Sequence, residues 1–405
     1  MATKSSSEQL STASAEAHLS VCPRVAEEAV RPLQVTAFSW KSLADVEPQA
    51  LGLTYFFDAV ADGEPYSVTI AFSGRRIGVR GKPRSKDVFE VTETVEHIVP
   101  GSGRLAITTR VVDVAPGEWQ VTAMPTNDRR AGARSSRREP GRQPRLPVGS
   151  ASGATGYVPV IQVCAPGVHV GAWPALVGLG VAVGLVLQAL LASHAQLPFT
   201  SVLAVSLAAS LVGLFGAKAY YLVGHYLMRR FLPAHRDDER PAVRSAGMCI
   251  QGFVAGALVT LVAGALVTGL PVGVLLDVTA PGLFFGMTIG RFGCFFGGCC
   301  AGRPTASRFG LWSSDRRLGV RRIPTQLLES TLALCIAAPA LLAMWVTKPH
   351  PGGVVFVGAI AAYTLGRQAL FPLRDNPRKT AHGRSLTMAL TGLVILVDVA
   401  VGVFW

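Results

Sequence analysis

The chain has no aspartate, glutamate, lysine or arginine between Arg145 and Lys218, and most of that stretch is apolar. Similar apolar runs recur to the C-terminus, and a helix needs about 17–25 such residues to cross a bilayer. We place runs at about 170–192, 198–226, 247–269, 272–290, 326–346, 353–372 and 385–404. The sequence therefore predicts an α-helical polytopic membrane protein with seven transmembrane helices.

The first 150 residues have a different composition. They hold 17 of the 25 acidic residues, mixed with basic ones, which is typical of a soluble segment. Within 33–125, short runs rich in Val, Ile and Thr alternate with Gly and Pro turns, which predicts an all-β, sandwich-like soluble domain. We expect a disordered tail at 1–32, an Arg/Pro/Gly linker at 126–165 and the membrane domain at 166–405. Residues 1–30 lack the apolar core of a signal peptide.

Arginines are concentrated at the ends of the apolar runs. Arg291 follows the fourth run, and seven arginines lie between residues 291 and 325. Arginine at the end of a membrane helix is costly to place and suggests a function, and its guanidinium group can clamp a phosphate with two parallel hydrogen bonds. Because no nucleic-acid motif accompanies the basic charge, we predict an anionic phospholipid as partner and exclude nucleic acid.

The second half contains short segments that form a recognisable series along the chain. They are Gly216 to Leu222, Gly247 to Phe253, Asp277 with Pro281-Gly282, Gly290-Arg291-Phe292-Gly293, Gly302 to Thr305, Arg322 to Glu329, and Tyr363 to Asp375. In this order the segments resemble the prolipoprotein diacylglyceryl transferase family. The resemblance covers about residues 168–404 and leaves the β-rich domain unexplained.

The resemblance implies a multi-pass transferase of the bacterial plasma membrane. Such an enzyme moves a diacylglyceryl group from phosphatidylglycerol to an acceptor thiol, which in the family is a prolipoprotein cysteine. Arg291 and Arg322 are expected to bind the phosphate and to stabilise the departing glycerol phosphate. The remaining predicted substrate-binding residues are Arg303, Arg367, Tyr221, Lys218 and Glu329. We predict no cofactor and no metal.

The catalytic base is where the chain departs from the family. Gln251 stands where the family has histidine, and a neutral amide cannot take a proton. If a base is present, His225 at the end of the second helix is our prediction for it. A different class of function stays open: a catalytically degenerate paralogue that binds anionic phospholipid or senses redox state.

A group of cysteines accompanies these changes. Cys294 and Cys299 replace polar residues of the family motif, and Cys249 and Cys300 are expected on the same side of the membrane. Four neighbouring thiols can form disulfides, hold zinc, accept an acyl group or act as redox groups. The C-x4-C-C spacing is not a standard zinc pattern, and small buried thiols are the plainer interpretation.

Two arguments conflict on orientation. The family resemblance implies an N-terminus outside the cell. However, the loops at 229–244, 291–325 and 373–384 hold 5, 7 and 4 Lys+Arg, which favours placing them and the N-terminus inside. We predict a cytoplasmic N-terminal domain.

Overall fold

The structure is a computed structural model that describes residues 31–36, 46–126, 146–231, 249–347, 351–375 and 382–404. The chain divides into two compact units. The first comprises Met1–Leu176, Gly290–Glu329 and Leu370–Arg378, and the second comprises the segments between and after these. The arginine-rich run from Arg129 to Arg145 lies outside the described residues.

The first unit contains two antiparallel sheets. One has the strand order β1-β2-β5-β10-β9, with β8 also paired to β2, and the other has the order β4-β3-β6-β7. Short helical turns at Ser85–Asp87, Val158–Ile161 and Phe371–Leu373 complete the unit. The strands are β1 (Leu33–Val35), β2 (Gln49–Asp58), β3 (Tyr66–Arg76), β4 (Val88–Ile98), β5 (Arg104–Val111), β6 (Glu118–Pro125), β7 (Gly149–Ala154), β8 (Gly156–Tyr157), β9 (Leu311–Ser314) and β10 (Leu318–Arg322).

One hydrophobic core lies between these sheets. Tyr55 and Ile107 contribute to it from the first sheet, and Phe72 and Trp119 from the second, all with no measurable exposure. Side chains on a strand point to alternate faces, so the alternating Val, Ile and Thr residues give each sheet one apolar face. The predicted all-β, sandwich-like domain is therefore confirmed.

The β9–β10 hairpin was not foreseen, because we read residues 291–325 as loops. Leu318 of β10 pairs with Ile107 of β5, and Val320, 1% exposed, belongs to the sandwich core. The Trp312 indole donates a hydrogen bond of 3.0 Å to the carbonyl of Arg104. Strand β7 likewise lies inside the segment that we expected to be a linker. The sandwich therefore combines strands that precede the first membrane helix with the β9–β10 hairpin, which follows the fourth.

Seven helices in the described part of the chain are long and apolar enough to cross a membrane. This confirms the predicted polytopic membrane fold. The helices are α1 (Ala172–His194), α2 (Phe199–Phe231), α3 (Ile250–Thr268), α4 (Val272–Phe296), α5 (Thr325–Val346), α6 (Val354–Leu370) and α7 (Gly383–Phe404).

Glycines in the second unit lie where the backbones of two helices approach each other closely. A Cβ atom added to Gly180 of α1 would lie 2.5 Å from the carbonyl oxygen of Gly286 on α4. On α2, a Cβ at Gly216 would lie 2.5 Å from the carbonyl oxygen of Gly252 on α3. Small residues allow such contacts between membrane helices. Asp277 of α4 accepts backbone hydrogen bonds from Gly353 and Phe356 at the start of α6.

Candidate active site

A carboxylate shared by two arginines lies at the start of α5. Glu329 Oε2 is 2.9 Å from Nη1 of Arg291, and Glu329 Oε1 is 2.8 Å from Nη1 of Arg374. Arg291 is on the last turns of α4, and Arg374 follows the helical turn after α6. Glu329 and Arg374 are buried, and the Arg291 side chain is 14% exposed. One negative charge faces two positive charges, so this cluster has a net charge of +1.

Arg322 is held differently. Its guanidinium group contacts Asp375 through Nη1 at 2.7 Å and Asp315 through Nη2 at 2.6 Å, and it also donates to the carbonyls of Gly302 and Leu318. The side chain is only 1% exposed. A phosphate could reach its terminal nitrogens only by displacing a carboxylate. The geometry therefore favours a bracing role for Arg322 over direct contact with substrate.

Arg303 lies between the segments that carry these arginines. Its backbone N–H donates to the carbonyl of Leu373 at 2.9 Å, and its own carbonyl accepts from Ile323 at 3.0 Å. The Arg303 Nε donates to the carbonyl of Arg374 at 3.2 Å, while the residue as a whole is exposed. This fixes the position of the guanidinium group beside Arg374. Gly302 is required here because an added Cβ would meet the Ile323 carbonyl oxygen at 2.1 Å.

Three cysteines meet at the C-terminal end of α4, Cys294 on its last turn and Cys299 and Cys300 just after it. The sulfur atoms of Cys294, Cys299 and Cys300 all lie within 4.8 Å of one another. Hydrogen bonds from the Cys294 and Cys299 thiols, together with the charges of Arg374 and Arg291, hold the pKa of Cys300 well below its usual value. The pKa of Cys299 is raised, first by its hydrogen bond to Cys294 and then by those to Cys300 and by burial. The hydrogen bonds among the three thiols therefore act in opposite directions on the pKa values of Cys299 and Cys300.

The other predicted site residues belong to the second unit. Lys218 and Tyr221 lie on α2, and Arg367 lies on α6. Gln251 is exposed on the first turn of α3, where its Oε1 accepts a hydrogen bond of 2.6 Å from the Cys249 thiol. His225 is within α2, but its side chain lies outside the described residues. The catalytic and binding roles assigned from the sequence stay predictions.

The structure brings three residues into the site that the sequence did not predict there, Arg374, Asp315 and Asp375. Arg374 shares Glu329 with Arg291, and the carboxylates of Asp315 and Asp375 hold Arg322. Arg374 and Asp375 are adjacent in a segment already quoted for the family resemblance, which was the available signal. Asp315 had no such signal, because its position depends on the turn of the β9–β10 hairpin, where its Oδ1 accepts the N–H groups of Arg317 and Leu318.

Comparison with known proteins finds relatives of similar sequence. A phosphatidylglycerol–prolipoprotein diacylglyceryl transferase of Dehalococcoides mccartyi strain 195 is 34% identical over 134 residues, which is 32% of this chain and 51% of that protein. The Tropheryma whipplei strain TW08/27 enzyme of the same name is 28% identical over 196 residues, 46% of this chain and 71% of that protein. Phosphatidylglycerol–prolipoprotein diacylglyceryl transferase 2 of Streptomyces coelicolor is 33% identical over 166 residues, 39% of this chain and 51% of that protein.

The chain thus spans about half the length of two of these three relatives. The profile of the prolipoprotein diacylglyceryl transferase family, by contrast, matches residues 159–402, which include all seven helices and the arginine cluster apart from the last residues of α7. This chain belongs to the prolipoprotein diacylglyceryl transferase family.

Proposed function

We propose that this protein transfers a diacylglyceryl group from phosphatidylglycerol to an acceptor thiol. The observation that carries the proposal is the sharing of Glu329 by two buried or nearly buried arginines, Arg291 and Arg374. The excess positive charge is complementary to a lipid phosphate, and it would stabilise the second negative charge that grows on the departing glycerol phosphate. The names of the relatives support the same substrate class.

Within this proposal the arginines divide into two groups. Arg291, Arg374 and the exposed Arg303 bind the phosphate, and Arg322 braces the loop through Asp315 and Asp375. Glu329 fixes the directions of the Arg291 and Arg374 guanidinium groups. Lys218, Tyr221 and Arg367 remain proposed lipid contacts on the strength of the family motifs alone.

An Arg291→Lys substitution tests this assignment. Lysine keeps the charge but loses the planar fork, so we expect phosphatidylglycerol affinity to fall about 10- to 150-fold, from a loss of roughly 1.5–3 kcal/mol for a hydrogen bond to a charged group. Binding is measured by native mass spectrometry of the detergent-purified protein with defined lipids. Arg308→Lys is the matched control, because Arg308 is exposed in the same loop and stacks on Phe309. Equal affinities for the two variants would contradict the clamp.

The competing function is a phospholipid-binding paralogue without transfer activity. The exposed amide of Gln251 favours it, since no imidazole stands at that position to take the proton of the acceptor thiol. Purified protein supplied with labelled phosphatidylglycerol and a cysteine peptide separates the two. A labelled thioether product supports the transferase, whereas lipid binding without product supports the paralogue.

Two observations support a common membrane side for the arginine cluster and the N-terminal domain. With the seven apolar helices as spans, the N-terminal domain and the α4–α5 and α6–α7 connections fall on one side. The pairing of β10 with β5, and of Gly302 with Arg374, is consistent with the same grouping. The arginine cluster therefore lies on the side of the N-terminal domain.

We assign that side to the cytoplasm, because these connections carry the positive charge. A cytoplasmic reporter fused before Met1 should be active, and the same reporter fused after Trp405 should be silent, since the described residues contain seven candidate spans, an odd number. The reverse pattern in intact cells would place the site outside. With a cytoplasmic site, the acceptor thiol belongs to a protein that has not crossed the membrane.

A further inference from the structure

The three sulfur atoms at the C-terminal end of α4 form a preassembled ligand set. Cys294, Cys299 and Cys300 lie within 4.8 Å of one another, and no other such group of potential ligands occurs among the described residues. Tetrahedral zinc with Zn–S bonds of about 2.3 Å sets its sulfur ligands roughly 3.8 Å apart. The widest separation therefore needs to close by at most about 1 Å, which a small side-chain rotation supplies. All six described cysteines are free thiols.

The loop that carries the sulfurs is fixed from several directions. Its carbonyls accept hydrogen bonds from Arg316 Nε to Gly297 at 2.7 Å, from Gln326 Nε2 to Cys299 at 3.0 Å and from Thr325 Oγ1 to Cys300 at 3.4 Å. The Cys299 N–H also donates to the Cys294 carbonyl at 3.1 Å. Cys300 is held at φ +55°, a conformation that costs a non-glycine residue free energy. Such support around ligands is typical of metal sites.

The surroundings suit an anionic metal complex with an open position. Three thiolates and one Zn²⁺ carry a net charge of −1, and the Arg291–Glu329–Arg374 cluster carries +1. A cavity of about 350 Å³ borders Cys299 and Cys300 and is lined also by Asp315, Arg316 and Asp375. Its size is at the lower end of ligand pockets, so there is room for a fourth ligand beside two of the sulfurs.

We propose that Cys294, Cys299 and Cys300 bind one Zn²⁺ ion and that the acceptor thiol completes its coordination as fourth ligand. The metal site stands on the sulfur geometry, whereas the role of the fourth ligand rests on the proposed transfer reaction. Catalytic zinc sites keep one position open for substrate, and thiolate ligands select soft or borderline metals such as zinc. The sequence spacing alone did not indicate zinc, because Cys299 and Cys300 are adjacent.

The chemistry then needs no histidine. Binding to Zn²⁺ releases the thiol proton to solvent, and the bound sulfur keeps its electron pair as a thiolate. That pair forms the S–C bond to the glycerol carbon of the diacylglyceryl group as the C–O bond to phosphate breaks. The bonding electrons leave on the phosphate oxygen, so glycerol phosphate departs with one more negative charge, beside Arg291 and Arg374. Zinc does not change its oxidation state.

Metal content tests the site without reference to activity. Protein purified under reducing conditions and dialysed against Zn²⁺ should retain one zinc per chain by elemental mass spectrometry. Cys300→Ser and Cys294→Ser should lose it, and Cys335→Ser, which alters an exposed thiol on α5, should retain it. Wild-type protein without bound zinc, or variants that all retain it, would overturn the site. A disulfide within the cluster under reducing conditions, seen as a mass lower by two protons, would overturn it as well.

Cobalt substitution tests the fourth ligand. Co²⁺ in a three-thiolate site should give a sulfur-to-metal charge-transfer band that strengthens when a cysteine peptide is added and stays constant with the matched serine peptide. An unchanged band would overturn the role of the acceptor thiol while leaving the metal site in place. Transfer that continues after zinc is removed by a chelator would do the same. Zinc binding with a thiol-sensitive band but no transfer would count against the proposed reaction and not against the site.

Discussion

Removal of the charge on Glu329 is the sharpest test of the arginine cluster. In Glu329→Gln one amide oxygen remains to accept a hydrogen bond, but the amide NH2 group faces the second guanidinium group. Both carboxylate oxygens are engaged in the native protein, at 2.9 Å by Arg291 and 2.8 Å by Arg374. The substitution therefore leaves two buried or nearly buried positive charges with no opposing carboxylate.

The expected magnitude follows from this burial. Breaking a buried ion pair by removing one partner costs about 3–5 kcal/mol. Exposure of the three side chains is only 14%, 2% and 5% for Arg291, Glu329 and Arg374, so solvent screens the interaction little. The cluster lies in the first compact unit, and domains of 150–250 residues shift by roughly 2–4 °C per kcal/mol, so the melting temperature of this unit should fall by about 6–20 °C. Thermal unfolding of the detergent-purified protein measures this shift.

Two comparisons make the result specific. Glu90→Gln, which alters an exposed carboxylate on β4, should leave the melting temperature nearly unchanged. Phosphatidylglycerol should stabilise Glu329→Gln more than it stabilises the native protein, because a lipid phosphate can replace the missing negative charge, and phosphatidylcholine should do so less. A Glu329→Gln shift no larger than that of Glu90→Gln would refute the ion-pair reasoning. Equal stabilisation of native and variant protein by phosphatidylglycerol would refute the anion site.

Two further substitutions test the packing. Gly180→Ala should destabilise the membrane helices by about 1–3 kcal/mol through overpacking against Gly286, whereas Gly178→Ala, where nothing lies within 4 Å of the added Cβ, should be neutral or stabilising in the same unfolding assay. Val320→Ala should cost the β-sandwich about 2 kcal/mol from two lost methyl groups and the space they leave, and limited proteolysis should then cleave the N-terminal domain faster. Val112→Ala, at a residue 52% exposed in the same domain, should leave the cleavage rate unchanged.

The sequence predicted what depends on local composition. The seven apolar runs predicted α1–α7 because span length and hydropathy are local properties, and the alternating runs predicted β3 to β6 for the same reason. The β9–β10 hairpin was missed because Leu318-Gly319-Val320 is short and lies between arginines. The hairpin is stabilised by its pairing with β5. Nothing in the sequence indicates that β5 lies beside β10.

The same distinction between local and long-range features applies to the arginine cluster. Arg291 could be selected from its position at the end of an apolar run, and Glu329 from the family motif. The engagement of Arg322 by Asp315 and Asp375 could not be foreseen, since both contacts depend on which backbone segments lie together. The meeting of three sulfurs depends similarly on the left-handed backbone at Cys300, for which a cysteine gives no sequence signal.

The pairing of β10 with β5 has a consequence for how the chain is made. Leu318 pairs with Ile107, roughly 200 residues earlier, and at 5–20 residues per second a ribosome needs about 10–40 s to synthesise that interval. During this time the edge of β5 is unpaired, and an open strand edge invites pairing with other chains. The sheet can be completed only after α1 to α4 have been synthesised, so the N-terminal domain reaches its final form later than the first four membrane helices are made.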